Sequence, residues 1–402
     1  MPPADSFKTW FLKHGGGFHR HVTSGENTKG ISIIAIKDLQ PDTTIVSCPF
    51  SLVITKTLAQ TVLSKILDVE TIIVKGSWSE RQWISLYICF HWIIRRERND
   101  NVHLSHYEYV EMLPLPETLR TPLQFTPSEL EAFRGTNLYG ATIDRWRLGE
   151  SGKQNTRNVS RRERYLTGAT YLSSRAFPSS LLAPTPTLVA DISTEPVLIP
   201  GLDSLNHARG AAVTWAVTYP DSDSVTNSQK ESFISLVLHK PAEPNQELFN
   251  NYGPKPNSEL ILGYGFSLPN NPEDTILLKV AGLNGQRWSV GREAQGVEGL
   301  WDELLQSFAP ESETTPGYEA QLDAAGALAD MSSALLDRLP ETNEQDDMRP
   351  EVAAMLSDYV EGQRDILESL VRFSREKEQE AILTAREEGI VIELGTVGPE
   401  RK

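Results

Sequence analysis

Residues 247–266 read ELFNNYGPKPNSELILGYGF, and residues 198–207 read LIPGLDSLNH. In the first stretch, the pairs Tyr252-Gly253 and Tyr264-Gly265 flank a short helix-like segment containing Glu259, Leu260 and Leu262. Glycine after an aromatic residue permits a tight backbone path at a pocket wall. In the second stretch, an apolar run stops at Pro200-Gly201, and Asp203, Asn206 and His207 follow at once. Polar groups at the end of a buried run are hydrogen-bonded to something. A local Asx-type turn satisfies the same pattern, and both readings stay open on this stretch alone.

Working outward, the flanks of these stretches read as strands. Ala211 to Tyr219 (AAVTWAVTY) and Phe233 to Leu238 (FISLVL) are β-rich, and the polar run Asp221 to Gln229 reads as the hairpin tip between them. Near the N-terminus, Gly30 to Ala35 (GISIIA) and Thr44 to Cys48 (TIVSC) bracket a turn at Leu39 to Asp42. The period changes from about Thr57. Leu63, Ile66 and Leu67 are spaced for a helix, and Glu80 to Arg98 is apolar on most faces, with Ser79 and Gln82 as a capping box. Ser128 offers an N-cap for a short helix containing Leu130, Glu131 and Phe133. Beyond Asn271, Leu322 to Leu339 and Val352 to Val371 carry two apolar stripes at helical spacing. The order is strands, helical insert, strands, helical region. The fold class expected is α+β, with short strands interrupted by a helical insert and followed by an all-α C-terminal domain. The segments are 1–56, 57–165, 166–270 and 271–402.

Composition narrows the function. The chain has 402 residues, 39% hydrophobic and 23% charged, which suits folded domains rather than a disordered polymer. Its longest near-apolar run, Trp83 to Ile94, is shorter than the roughly 18 residues a bilayer requires. The N-terminus has no apolar secretory core, and two cysteines, Cys48 and Cys89, are too few for a disulfide framework. Cytoplasmic or nuclear residence is expected. Of the net charge of −16, residues 301–402 carry nearly all, with 24 acids against 9 bases. Such a surface disfavours nucleic acid and steers basic partners, or serves solubility alone. The bases between Lys153 and Arg164 read as a solvated helix face or a binding patch.

The sequence contains no GxGxxG after a strand, no phosphate-loop lysine motif, and no HExxH, GxSxG or CxxC. His14, His19 and His21 cluster, but no carboxylate or thiolate joins them at ligand spacing, so no metal is expected. His91 reads as a core histidine.

Taken together, Asp203-Ser-Leu-Asn206-His207, Tyr252-Gly253, Asn257, Glu259-Leu260 and Tyr264-Gly265-Phe266 resemble a SET domain of the RuBisCO large-subunit methyltransferase type. Asn271-Pro272-Glu273-Asp274 is similar to that family's exit into its C-terminal domain, Tyr107 to Pro114 to its helical insert, and Ser174-Arg175-Ala176-Phe177 to its SRxF segment. The resemblance covers roughly residues 15–275. It implies an S-adenosylmethionine-dependent N-methyltransferase of the non-histone branch, acting on a lysine of a protein substrate, with S-adenosylhomocysteine as product and no metal. The acidic tail adds the expectation of a basic substrate, such as a ribosomal protein. A monomer is the default expectation, with no membrane or nucleic-acid partner. A histidine acceptor on the same fold and a catalytically silent scaffold that binds a protein partner are the alternatives.

The resemblance assigns residues as well. Tyr252 orients the transferring methyl as the catalytic residue and also touches the cofactor. Asn27, Lys29, Arg175, Asp203, Asn206 and His207 hold the cofactor, and Tyr264 and Phe266 line the lysine channel. Thr28 departs from the pattern, because it stands where the family's cofactor loop opens with glycine.

Overall fold

The runs rich in Val, Ile and Phe form strands, and the stripes at helical spacing form helices. The computed structural model describes residues 2–27, 30–67, 78–94, 103–150, 159–220, 231–280, 286–309, 316–342 and 347–391. The chain opens with α1 (Pro3–Lys13), β1 (Gly17–Phe18), β2 (Val22–Asn27), β3 (Gly30–Ala35) and β4 (Thr43–Pro49). The helices α2 (Lys56–Leu67), α3 (Glu80–Ile93), α4 (Tyr107–Met112), α5 (Pro127–Glu131), α6 (Asn137–Glu150) and α7 (Val159–Arg175) follow. Next come β5 (Phe177–Pro178), β6 (Pro196–Val197), β7 (Val213–Thr218), β8 (Phe233–Leu238), β9 (Glu247–Leu248) and the single turn α8 (Asn257–Glu259). The ribbon β10 (Thr275–Leu278) and β11 (Trp288–Gly291) leads to α9 (Glu298–Phe308), α10 (Tyr318–Leu336) and α11 (Pro350–Glu387).

Two compact units result. One comprises residues 1–119 and 152–254, the other residues 120–151 and 255–402. These units divide the chain differently from the four sequence segments. Residues 120–151 of the helical insert group with the C-terminal helices, because Phe125, Phe133 and Leu138 share a core with Val352, Met355 and Tyr359. Glu129 adds a two-pronged pair with Arg349, at 2.6 and 2.7 Å.

The first unit holds the sheets. In one, β1, β4, β8 and β7 lie in that order, all antiparallel. In another, β3 lies between β2 and β9. Burial alternates along β8, as a strand half-covered on one face requires. Their inner faces share a core with Phe7, Trp10 and Phe11 of α1, a helix the sequence reading does not contain.

The capping box of α3 forms as expected. The Ser79 hydroxyl accepts from the Gln82 amide at 3.3 Å, and the Gln82 side chain accepts from the Ser79 amide at 2.8 Å. For α5 the expectation is corrected. Thr126, not Ser128, is the N-cap, in a reciprocal box with Glu129 and with Pro127 in the first turn. Phe133 lies just past the end of that helix. In the second unit, the β10–β11 ribbon precedes three helices, an addition to the all-helical reading. The Asp221–Gln229 tip, Lys153 and Arg157 lie outside the described residues, as do the side chains of Arg161 and Arg162; Arg164 is exposed. Among the described residues, no helix is long and apolar enough to cross a membrane.

Candidate functional site

Leu198, Ile199 and Leu202 are fully buried, which anchors the chain on both sides of the turn at Pro200-Gly201. Gly201 has φ +88°, and a Cβ there would meet the Phe11 ring at 2.8 Å. The following turn, Leu202–Ser204, carries Asp203 into the interior. There the Tyr109 hydroxyl donates to Asp203 Oδ2 at 2.6 Å. Arg175, at the end of α7, donates to the Asp203 backbone oxygen at 2.8 Å, with the same nitrogen 3.6 Å from Oδ2. Burial pushes the Asp203 carboxyl above its ordinary range, against the opposing pull of the Arg175 charge and the Tyr109 hydroxyl.

Asn206 and His207 leave this turn and meet the 247–252 stretch. The Asn206 backbone oxygen accepts from the Asn250 amide at 2.8 Å, and the Ala208 amide donates to Asn250 at 3.0 Å, which forms a parallel bridge. The Asn206 side-chain nitrogen donates to Glu247 Oε1 at 2.7 Å and to the Ile31 carbonyl at 3.3 Å. His207 Nδ1 accepts from the Tyr252 amide at 3.1 Å, so Nε2 carries the ring proton of the neutral imidazole. The two rings stack, with centroids 5.0 Å apart and planes at 25°. The Tyr252 hydroxyl donates to the Leu205 carbonyl at 2.8 Å. Gly253, at φ +88°, then turns the chain in the left-handed region, as the Tyr-Gly pair implied.

Tyr264 and Phe266 belong to the second unit. The helix begun by α8 widens into a π-type turn at Leu260–Tyr264 and ends at Gly265, φ +78°. The two rings pack edge to face at 6.1 Å. Lys255 lies 5.6 Å over the Tyr264 ring and pairs with Glu259. Both aromatic rings are half-buried. Asp274 of the exit motif accepts from the Asn257 amide at 2.7 Å and faces Arg292 at 3.4 Å, and burial pushes its carboxyl up to about 6.

The first unit therefore sets these residues in three bonded groups along residues 203–207: Arg175 with Asp203, Asn206 with Glu247 and Asn250, and His207 with Tyr252. Asn27 closes β2 opposite Gly30, while its side chain, Thr28 and Lys29 lie outside the described residues. Tyr109 and Glu247 were not foreseen. Each reaches its partner across 94 and 41 residues, and no local pattern encodes that. Among the described residues, three buried side-chain polar atoms of these same stretches have no protein partner: Asp203 Oδ1, Ser204 Oγ and Asn250 Nδ2. Ser204 also lines a small cavity with Phe7, Thr23, Ser24, Ile31 and Ile33.

Solved structures of known proteins share this fold. The SET domain of LSMT bound to lysine and AdoHcy superposes with a TM-score of 0.72 at 17% identity, over 99% of this chain and 97% of that one. Rubisco LSMT bound to AdoMet gives 0.71 at 16% identity, over 100% of this chain and 98% of that one. The fold is that of the LSMT SET domain. In sequence, the SET-fold chain is similar to ribosomal lysine N-methyltransferase set10 of Schizosaccharomyces pombe, 32% identical over 283 residues, or 67% of this chain and 47% of the relative. It is also similar to ribosomal lysine N-methyltransferase 1 of Saccharomyces cerevisiae, 38% identical over 84 residues, 21% of this chain and 12% of the relative. The chain thus spans about half the length of the first relative or less of the second. No family model matches it.

Proposed function

We propose that the protein is an S-adenosylmethionine-dependent lysine N-methyltransferase acting, as a monomer, on a basic non-histone protein. The observation that carries this reading is the set of bonded groups along residues 203–207 that hold Arg175, Asn206, His207 and Tyr252 in place on the LSMT fold. The names of the sequence relatives support a ribosomal protein as the substrate class.

The donor set fits the cofactor. Its carboxylate suits the Arg175 guanidinium. Its ammonium and adenine amino groups suit acceptors, and Asn206 Oδ1 is one. The unpartnered Ser204 Oγ and Asn250 Nδ2 are further groups that a polar ligand or a water would satisfy. Asp203 acts from behind by holding Arg175. The resemblance adds Asn27 and Lys29 to this set. When bound, S-adenosylmethionine supplies an electrophilic methyl on a sulfonium that leaves as a neutral thioether.

The acceptor lysine must first lose a proton to solvent, because its reference pKa is about 10.4. An aromatic lining of Tyr264 and Phe266 would favour the neutral amine by desolvation. The amine lone pair then forms the N–C bond in line as the C–S bond breaks, and the product ammonium sheds its extra proton to water. The Tyr252 proton is committed to Leu205, so its oxygen presents lone pairs to polarised C–H groups and aligns the methyl. No nucleophilic side chain is required.

Calorimetric titration with S-adenosylmethionine and S-adenosylhomocysteine tests the reading, with Asn206→Ala as control. Micromolar binding, about −8 kcal/mol, is expected for the wild type and lost in the control. Labelled methyl should then appear as methyl-lysine on ribosomal proteins. A folded wild-type protein that binds neither compound overturns the proposal, and label recovered as methyl-histidine transfers it to the other acceptor.

A further inference from the structure

Asn206 has a polarity that its neighbours impose. Its amide lies beside two oxygens, Glu247 Oε1 at 2.7 Å and the Ile31 carbonyl at 3.3 Å. A carbonyl and a carboxylate oxygen are both acceptors. The two ends of an Asn amide look alike in shape, so its orientation follows from its hydrogen bonds. Only one orientation works here. The NH2 must face both oxygens, since the reverse would set three acceptors together with no proton between them. Both amide protons are thereby used, and Oδ1 is turned away from both partners.

The scaffold that holds the two acceptors is rigid. Glu247 lies on β9 in register with Ile34, next to the fully buried Leu248, which pairs with Ile33. Ile31 lies on β3, the neighbouring strand. The Asn206 backbone is bonded to Asn250, three residues after Glu247. Strand, turn and side chain therefore fix one another.

We propose that Glu247 is a positioning residue that locks the Asn206 amide with Oδ1 as the acceptor of the site, so that the site selects an N–H donor on its ligand. The identity of that ligand, the ammonium or amino group of S-adenosylmethionine, rests on the function proposed above. The lock itself does not.

The experiment is a mutant cycle of wild type, Asn206→Asp, Glu247→Gln and the double variant. Each is read twice, by S-adenosylhomocysteine titration and by the unfolding midpoint of the ligand-free protein. Asn206→Asp sets an oxygen against two acceptors and should weaken binding by about tenfold or more. Glu247→Gln keeps an acceptor and should retain binding within about threefold. In the double variant, the amide introduced at position 247 can donate to the carboxylate introduced at position 206. That exchange of donor and acceptor should restore most of the loss in both readouts.

Should Asn206→Asp fail to fold, Glu247→Ala against Glu247→Gln carries the test. Alanine should weaken binding about tenfold where glutamine does not. Additive effects in both readouts overturn the lock. Coupling in the unfolding midpoint with additive binding makes Glu247 merely structural and also overturns it. If the wild type binds no S-adenosylhomocysteine, the methyltransferase reading falls, and the unfolding cycle alone decides for or against the lock.

Discussion

His106 is buried with both ring nitrogens bonded. Nε2 faces the Leu52 carbonyl at 3.2 Å and so carries the proton, and Nδ1 accepts from the Tyr87 hydroxyl at 2.7 Å. His91 repeats the arrangement. Its Nδ1 donates to the Tyr87 carbonyl at 2.9 Å, and its Nε2 accepts from the His106 amide at 3.3 Å. Its place in an apolar run had already implied a core histidine. Burial lowers His106 to about 3 and His91 to about 4, from 6.5. Both rings therefore fold neutral, and the unfolded chain binds more protons between those values and 6.5. Stability is fully present above that window and is lost as pH falls through it. Chemical unfolding from pH 7 down to 4 should show this slope. His106→Asn, which removes one of the two linked protons, should flatten it while costing about 1–3 kcal/mol at pH 7 for the disturbed buried bonds. An unchanged slope would assign the acid sensitivity to other groups.

At the scale of elements, what was legible depended on whether a segment's structure is set within itself. Gly30 to Ala35 and Phe233 to Leu238 were read with the bounds they have, because their β-branched and aromatic composition favours strand and both have buried residues, alternating along the second. In contrast, Val22–Asn27 (VTSGEN) is polar, and it is a strand because β3 supplies its partner. The α1 helix buries only Phe7, Trp10 and Phe11, too short a stripe to stand out. The same division holds for the site. The DSLNH and Tyr-Gly segments were visible, whereas Tyr109 and Glu247 are joined to them only by folding. Gly265 is a case where sequence and structure agree on the cause. Its φ is +78°, and a Cβ would lie 2.8 Å from the Arg120 backbone carbon and 2.9 Å from the Thr121 nitrogen. Backbone atoms cannot swing aside as a side chain would. Gly265→Ala should therefore destabilise the protein by about 2–4 kcal/mol, combining left-handed strain with overpacking. Denaturant unfolding checks this, and a loss below about 0.5 kcal/mol, the scale of ordinary surface changes, would mean that the turn relaxes freely.

At the scale of the whole molecule, charge is distributed unevenly. Residues 1–300 are close to neutral, and residues 301–402 hold 24 of the 54 acids. Some of that acidity has structural partners: Arg292 is bonded to Glu361 and Asp365 at 2.8 and 3.1 Å. Other acids on α11, including Glu351, Glu368, Glu376 and Glu387, are exposed. Exposed charges of one sign act at range. They speed encounter with an oppositely charged partner and add little to a formed contact. If the substrate is a basic protein, this field raises its local concentration without touching the transfer step. Replacing those four glutamates with lysine should then raise KM for the protein substrate several-fold at low ionic strength and leave kcat unchanged. Near 1 M salt, where screening acts within about 3 Å, the variant and wild type should converge. Affinity for S-adenosylhomocysteine should not change, which separates substrate steering from damage to the cofactor site. A KM difference that persists at high salt would point instead to direct contacts along α11, and an unchanged KM at low salt would leave the acidity to solubility alone.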